Sequence, residues 1–323
     1  MKVSFAVIVF ALAQFAAAAP KLFARADVNE VASLGYASLN GGTTGGSGGT
    51  VTTVTTLDAL TSAVKGNDPK IVIISGTITG SDGAVVKVGS NTSVLGKSGA
   101  KLVGVGLRVL EESNVIIRNL IIQKVLAPTD NIGIQSASQV WVDHVDLSSD
   151  RDHDKVRLVS KCTCYDGLLD ITHGSSGVTV TNSYLHDHWK ASLVGHSDSN
   201  GSEDVALRVT FANNYWKNLN SRTPSFRFGT GHIFNSVFDD NNDGINTRDG
   251  AQLLVENNVW TGTDKPLYST DEGFAVARNN DFGGAENTAP TGTFSSPPYS
   301  YSVISTSSVR SSVVGNAGAT LDF

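Results

Sequence analysis

GHIFN (231–235), LLVEN (253–257) and AVARN (275–279) recur at a constant step of 22 residues, each a short segment closed by asparagine. Working back along the chain, VTFAN (209–213) continues the same step. VTVTN (178–182), VWVDH (140–144) and VIIRN (115–119) precede it at steps of 31, 38 and 25 residues. The segments are β-branched and alternating, so each reads as one strand. A repeat near 22 residues holding a strand and a turn is too short for a propeller blade and suits the coils of a parallel β-helix. A leucine-rich solenoid has a similar period, but no LxxLxL pattern is present. The 33 glycines agree with a turn-rich coil. Asparagine at one fixed turn position predicts a ladder in which side-chain amides bond from coil to coil. The plainer reading makes the same asparagines simple turn residues.

An open solenoid end exposes apolar edges and needs a cap. LDALTSAVKG (57–66) carries the one convincing helical pattern, with Leu57, Leu60 and Ala63 or Val64 on one face and Gly66 behind them. It predicts a short N-terminal capping helix. Residues 285–323 are rich in Ser, Thr, Pro and Gly and are expected to run as loops along the side of the coil. No linker separates domains, so residues 20–323 are expected to form one unit.

The first residues read Met1-Lys2, then VSFAVIVFALA, then AAAAP ending at Pro20. A charged start, a short apolar run and a small-residue exit predict a secretory signal over 1–19, and hence a secreted, extracellular protein. No later apolar run is long enough for a membrane span, so no membrane partner is expected. Asn91-Thr92-Ser93 and Asn200-Gly201-Ser202 are glycosylation sequons that a eukaryotic host could use.

The net charge is −6, which argues against nucleic acid as a partner. An acidic ligand would have to be held by a local cluster of cations in an otherwise acidic surface. The two cysteines, Cys162 and Cys164, make no disulfide scaffold. Separated by one residue, they are expected to be free or irregularly paired.

Chemistry-bearing residues gather between 130 and 227. Asp166 and Asp170 stand four apart in YDGLLDITHG (165–174), Lys190 lies in HWKAS (188–192), and Arg222 and Arg227 bracket RTPSFR (222–227). Carboxylates that can hold a hard cation, followed by cations that can hold acidic sugars, suit an enzyme acting on a polyuronate. WVDH (141–144), DGLLDITHG (166–174) and RTPSFR together resemble the signature segments of the pectate lyases of polysaccharide lyase family one, over residue 50 to the C-terminus.

That resemblance implies a right-handed, single-stranded parallel β-helix of all-β class and a secreted monomer acting on polygalacturonate. It implies Ca2+ held by Asp130, Asp166 and Asp170, with Arg222 as the base that takes the C5 proton in a β-elimination. Lys190 and Arg227 would hold substrate carboxylates, Arg227 with a bidentate fork. Using Arg as a base is chemically awkward, since it is normally protonated; a site crowded with calcium and Lys190 could lower its proton affinity. His144 and Asp143 are expected to be structural. His186 and His188 have no third ligand at zinc-like spacing and are not assigned to a metal. Trp141, Trp189, Trp216 and Trp260 could stack on sugars, although packing explains most of them equally well.

Two departures stand out. Many relatives carry Asp two places before Asp130, where this chain has Pro128, so fewer protein ligands and weaker calcium binding are expected. VRLVSKCTC (156–164) looks surplus, and reads as a product of gene prediction or splicing. An mRNA encoding it would contradict that reading. Alternatives to the calcium-dependent lyase are a pectin lyase on methylated pectin, which would need no acidic cluster, and a non-catalytic polysaccharide-binding β-helix, which would need no base. A polygalacturonase would need paired carboxylates instead of Arg and calcium.

Overall fold

The computed structural model describes residues 24–151 and 164–323. The expected signal segment and nearly all of the surplus segment lie outside them. The repeat is a parallel β-helix with three strand-bearing faces. The first face, a ten-stranded parallel sheet among the described residues, runs from Thr50–Val54 to Phe274–Arg278. The second and third faces are two wings of one larger sheet, joined through the long strand Lys101–Leu110.

Strand alternation builds the core. Val140, Val178, Val209, Gly231, Leu253 and Ala275 fall in one register line, and Val142, Val180, Phe211, Ile233, Val255 and Ala277 in the next but one. Both lines point inward, because alternate residues of a strand share a face. Along the second face Trp216 stacks on Phe238 with ring centres 5.8 Å apart, and Phe238 on Trp260 at 4.6 Å, all three buried. Trp216 and Trp260 are therefore packing residues. Each such aromatic contact adds about 1 kcal/mol beyond its buried area.

The seven residues that close the recurring segments, Asn119, His144, Asn182, Asn213, Asn235, Asn257 and Asn279, all have φ between 48° and 58°. This left-handed conformation suits Asn and turns the chain from the first face to the second. They are not the ladder. The ladder runs one residue later: the Ser183 N–H donates to Asn214 Oδ1 (2.9 Å), Asn214 N–H to Ser236 Oγ (3.2 Å), Ser236 N–H to Asn258 Oδ1 (2.9 Å) and Asn258 N–H to Asn280 Oδ1 (3.0 Å). Because that row points inward, each side chain satisfies a backbone donor that water cannot reach.

The closing asparagines face outward and dock the C-terminal segment. Asn257 donates to the Ile304 carbonyl at 2.8 Å, Asn235 to the Ser302 carbonyl at 3.2 Å, and the Leu321 N–H donates to Asn119 Oδ1 at 2.9 Å. The segment packs along the coil as expected, but not as loops alone. Thr306–Val313 is a helix that buries Val309 and Val313 against Tyr215, Val237 and Val259. Leu321–Asp322 pairs with Ala24–Arg25.

The N-terminal cap is the helix Leu57–Ala63. Thr56 Oγ1 accepts the Ala59 N–H at 3.2 Å, and Leu60 is fully buried over the open end of the coil. Among the described residues no helix is long and apolar enough to cross a membrane.

Candidate active site

The third face positions the site. Ile132–Gln135, Leu169–Thr172, Leu193–Val194 and Ser225–Arg227 stack in successive coils, with Gly133 beside Asp170 and Leu193 beside Ser225. Strands in such a stack lie about 4.8 Å apart, so residues entering them from distant parts of the chain converge. Asp130 precedes the first of these strands, Asp166 and Asp170 flank the start of the second, Lys190 ends Tyr184–Lys190, and Arg222 precedes Ser225–Arg227.

Asp130 and Asp170 are buried, whereas Asp166 is half-exposed. Asp130 Oδ1 accepts the Gly167 N–H at 2.9 Å, and Asp170 Oδ1 accepts the Leu193 N–H at 2.9 Å. Even so, burial and then the charge of Asp166 push Asp130 up to about 6. Asp170 is raised well above the usual carboxylate range by burial and then by Asp130, with the Arg222 guanidinium opposing. Two buried carboxylates carrying uncompensated negative charge fit a bound cation, which would remove that penalty. Among the described residues no three ligating side chains close tightly enough to cage a metal alone. A hard cation here would complete its oxygen shell from water and an acidic ligand.

Lys190 Nζ donates to Asp166 Oδ1 at 3.0 Å, so this lysine belongs to the same cluster. Arg222 has φ 63°, a left-handed backbone that a bulky residue adopts at a cost of about 1–2 kcal/mol. Its carbonyl accepts the Ser192 N–H at 2.8 Å, and the Asp243 carboxylate takes its backbone N–H. Among the described residues its guanidinium has no ion-pair or hydrogen-bond partner. Arg222 lines a cleft of 440 Å³ with Asp166, Lys190 and Trp189, and a second of 370 Å³ with Arg227, Asp243 and Tyr268. Trp189 is thus the one tryptophan of the four at the cleft; Trp141 donates to Thr181 Oγ1 and lies under the Arg118 guanidinium.

Arg227 is placed differently from the rest of the cluster. It lines the second cleft, but its Nε is held by Asp198 at 2.5 Å and by Asp249 at 3.5 Å. Asp143 is a fully buried anion bonded to Arg118 Nε at 2.6 Å and His144 Nδ1 at 2.7 Å, a structural knot. His186 and His188 do not share a face: Asp187 between them has φ 49°, which sends His186 to Asp146 and Asp187 outside and His188 into the core. His188 Nε2 donates to the Asp166 carbonyl, and burial holds its imidazole down to about 4.

Several contributing residues, whether inside a motif or outside one, receive no role from the sequence reading. Gly167 is one: a Cβ there would meet Asp170 Oδ1 at 2.4 Å. Asp243 and Tyr268 are others; Tyr268 Oη donates to Asp243 Oδ2 at 2.9 Å and Thr223 Oγ1 to the Asp243 carbonyl at 2.7 Å, clamping the loop that carries Arg222. Stepping 22 residues from Arg222 lands beside Asp243 and then near Tyr268, so the repeat itself held the signal. Cys164 is disulfide-bonded, so of the two expected states, free or irregularly paired, the free one does not hold.

A stacked acidic cluster, a lysine and an arginine whose guanidinium is without a partner among the described residues thus gather beside the third face of a parallel β-helix. The pectate lyase family profile matches residues 9–321. The chain belongs to the pectate lyase family. It is 62% identical to the probable pectate lyase A of Aspergillus fumigatus over 295 residues, covering 90% of this chain and 89% of that one. It is 59% identical to the pectate lyase A of Aspergillus niger over 302 residues, covering 93% and 91%. Among solved structures it resembles a pectate lyase from Bacillus sp. N165 in complex with trigalacturonate, at 30% identity and TM-score 0.78 over 89% of this chain and 99% of that one. Pectate lyase II of Xanthomonas campestris gives 26% and 0.78 over 89% and 98%. This pectate lyase is therefore a polysaccharide lyase built on the β-helix its repeat foretells.

Proposed function

We propose that this pectate lyase cleaves de-esterified (1,4)-α-D-galacturonan by calcium-assisted β-elimination, outside the cell, leaving a 4,5-unsaturated end. The observation that carries the reading is the Arg222 guanidinium, partnerless among the described residues and set beside a buried acidic cluster. The trigalacturonate bound by the Bacillus relative supports an acidic substrate.

Asp130, Asp166 and Asp170 would hold Ca2+, and the raised proton affinities of the buried pair Asp130 and Asp170 suit that role. Ca2+ held there would supply positive charge that makes the C5 proton of a bound uronate more acidic. Lys190, already at the cluster edge, orients a uronate carboxylate. Arg222 reaches into the cleft from a fixed backbone and takes the C5 proton, while the clamp of Asp243, Tyr268 and Thr223 keeps that backbone in place. Elimination then breaks the C4–O4 bond of the same sugar as the C4–C5 double bond forms, and the glycosidic oxygen leaves on C1 of the neighbouring sugar, taking up a proton to become its new hydroxyl. Arg227, at the far end of the strand that Arg222 precedes, holds a second carboxylate.

Mass spectrometry of products from polygalacturonate separates elimination from hydrolysis. Unsaturated oligomers one water lighter than hydrolysis products are expected. Saturated products, or activity confined to methylated pectin, would overturn the reading.

A further inference from the structure

Asp198 lies on the loop after Leu193–Val194, with its side chain 61% exposed, and its Oδ1 bridges two cations. Arg227 Nε is 2.5 Å away and Arg248 Nη2 3.2 Å away. Both arginines line the cleft that contains Arg222. Each also keeps a second acidic partner: Asp249 lies 3.5 Å from Arg227, and Asp271 lies 2.9 Å from Arg248. One solvent-exposed carboxylate thus occupies the guanidinium that faces the clefts, while the arginines stay anchored from elsewhere.

An ion pair made by an exposed carboxylate is weak and yields to a competing anion. A uronate carboxylate is the same chemical group as the Asp198 side chain. We propose that Asp198 is an affinity-setting counter-carboxylate, which holds Arg227 in the empty cleft and is displaced by a substrate carboxylate on binding. The inference rests on Arg227 being a substrate-binding cation. It adds that every uronate bound there must first displace Asp198, so the chain binds its polymer less tightly than its cations alone would allow. When the cut chain leaves, Asp198 returns and Arg227 is never left without an anion. A neutral ester brings no anion to make the exchange.

The test is Asp198→Asn, with Asp271→Asn as the control. Both remove one negative charge from the same network, but Asp271 touches Arg248 and not Arg227. Affinity electrophoresis in gels cast with polygalacturonate reads binding without requiring turnover, and initial rates give KM and kcat. Asp198→Asn is expected to bind polygalacturonate about three-fold more tightly, with KM falling in step and kcat unchanged. Asp271→Asn is expected to leave both constants where they were. An equal gain in the two variants would reduce the effect to net charge and overturn the proposal, as would unchanged or weaker binding by Asp198→Asn. Failure of every protein, wild type included, to bind or cut polygalacturonate would instead bring down the proposed function and this inference with it.

Discussion

Asp130 Oδ1 accepts the Gly167 N–H at 2.9 Å, so a carboxylate from one coil fixes the loop that carries Asp166 and Asp170 in the next. The acidic cluster is thereby a property of the stack, and no single coil could make it. A different neighbour makes glycine necessary at 167, because a Cβ there would run into the Asp170 carboxylate.

Gly167→Ala would place a methyl carbon 2.4 Å from Asp170 Oδ1, well inside van der Waals contact. The carboxylate must rotate away. The calcium concentration needed for half-maximal activity is expected to rise about ten-fold, which is the scale seen when a ligand's support is disturbed. A calcium titration of initial rate checks this, and thermal melting should show only a small loss.

Arg222→Ala and Arg222→Lys are both expected to lose about 1,000-fold in kcat, the scale of a general base. Melting temperature should hold, since this guanidinium has no ion-pair or hydrogen-bond partner among the described residues. Comparable loss in the lysine variant would separate the guanidinium's role from that of any cation.

His188 is neutral in the fold, with its imidazole held down to about 4 against an ordinary value of 6.5. Between those values the unfolded chain binds more protons than the folded one, so stability falls as pH drops from about 6.5 towards 4. Asp130, raised to about 6 from 3.8, acts with the opposite sign: without metal, the fold binds more protons than the unfolded chain and gains stability as pH falls towards 4. Melting curves across pH 4–7 in chelator should show His188→Gln losing acid lability and Asp130→Asn losing the compensating gain. In wild type, protons compete with calcium for Asp130, so calcium affinity is expected to weaken as pH falls through about 6.

Two adjacent asparagines should respond very unequally to the same substitution. Asn257 supplies a left-handed turn at φ 51°, so Asn257→Gly costs little beyond its bond to Ile304. Asn258 accepts the Ser236 N–H and donates to the Ile233 carbonyl, both buried. Asn258→Gly orphans both groups and is expected to destabilise by about 3 kcal/mol. Urea denaturation of the two variants checks the contrast.

The fold was legible because coil period and strand alternation are written directly in residue spacing. The cap at Leu57–Ala63 and the cluster of Asp130, Asp166, Asp170, Lys190 and Arg222 were legible too, the latter through family motifs. Sequence alone puts the ladder one residue early, because Asn213-Asn214 and Asn257-Asn258 look alike. Only the direction of the left-handed turn decides which amide points inward. The helix Thr306–Val313 was hidden because TSSVRSSV has poor intrinsic propensity and is stabilised by packing Val309 and Val313 on the coil. The pairing of Arg227 with Asp198 joins residues 29 apart on neighbouring coils, and no local pattern marks it.

The most direct test of a calcium-assisted elimination with Arg222 as base follows ultraviolet absorbance of the unsaturated product from polygalacturonate, in calcium and in chelator, for wild type and Arg222→Ala. Absorbance that grows only with calcium and only in wild type is the predicted result. Wild-type absorbance that ignores chelator, or that survives Arg222→Ala undiminished, would contradict the account.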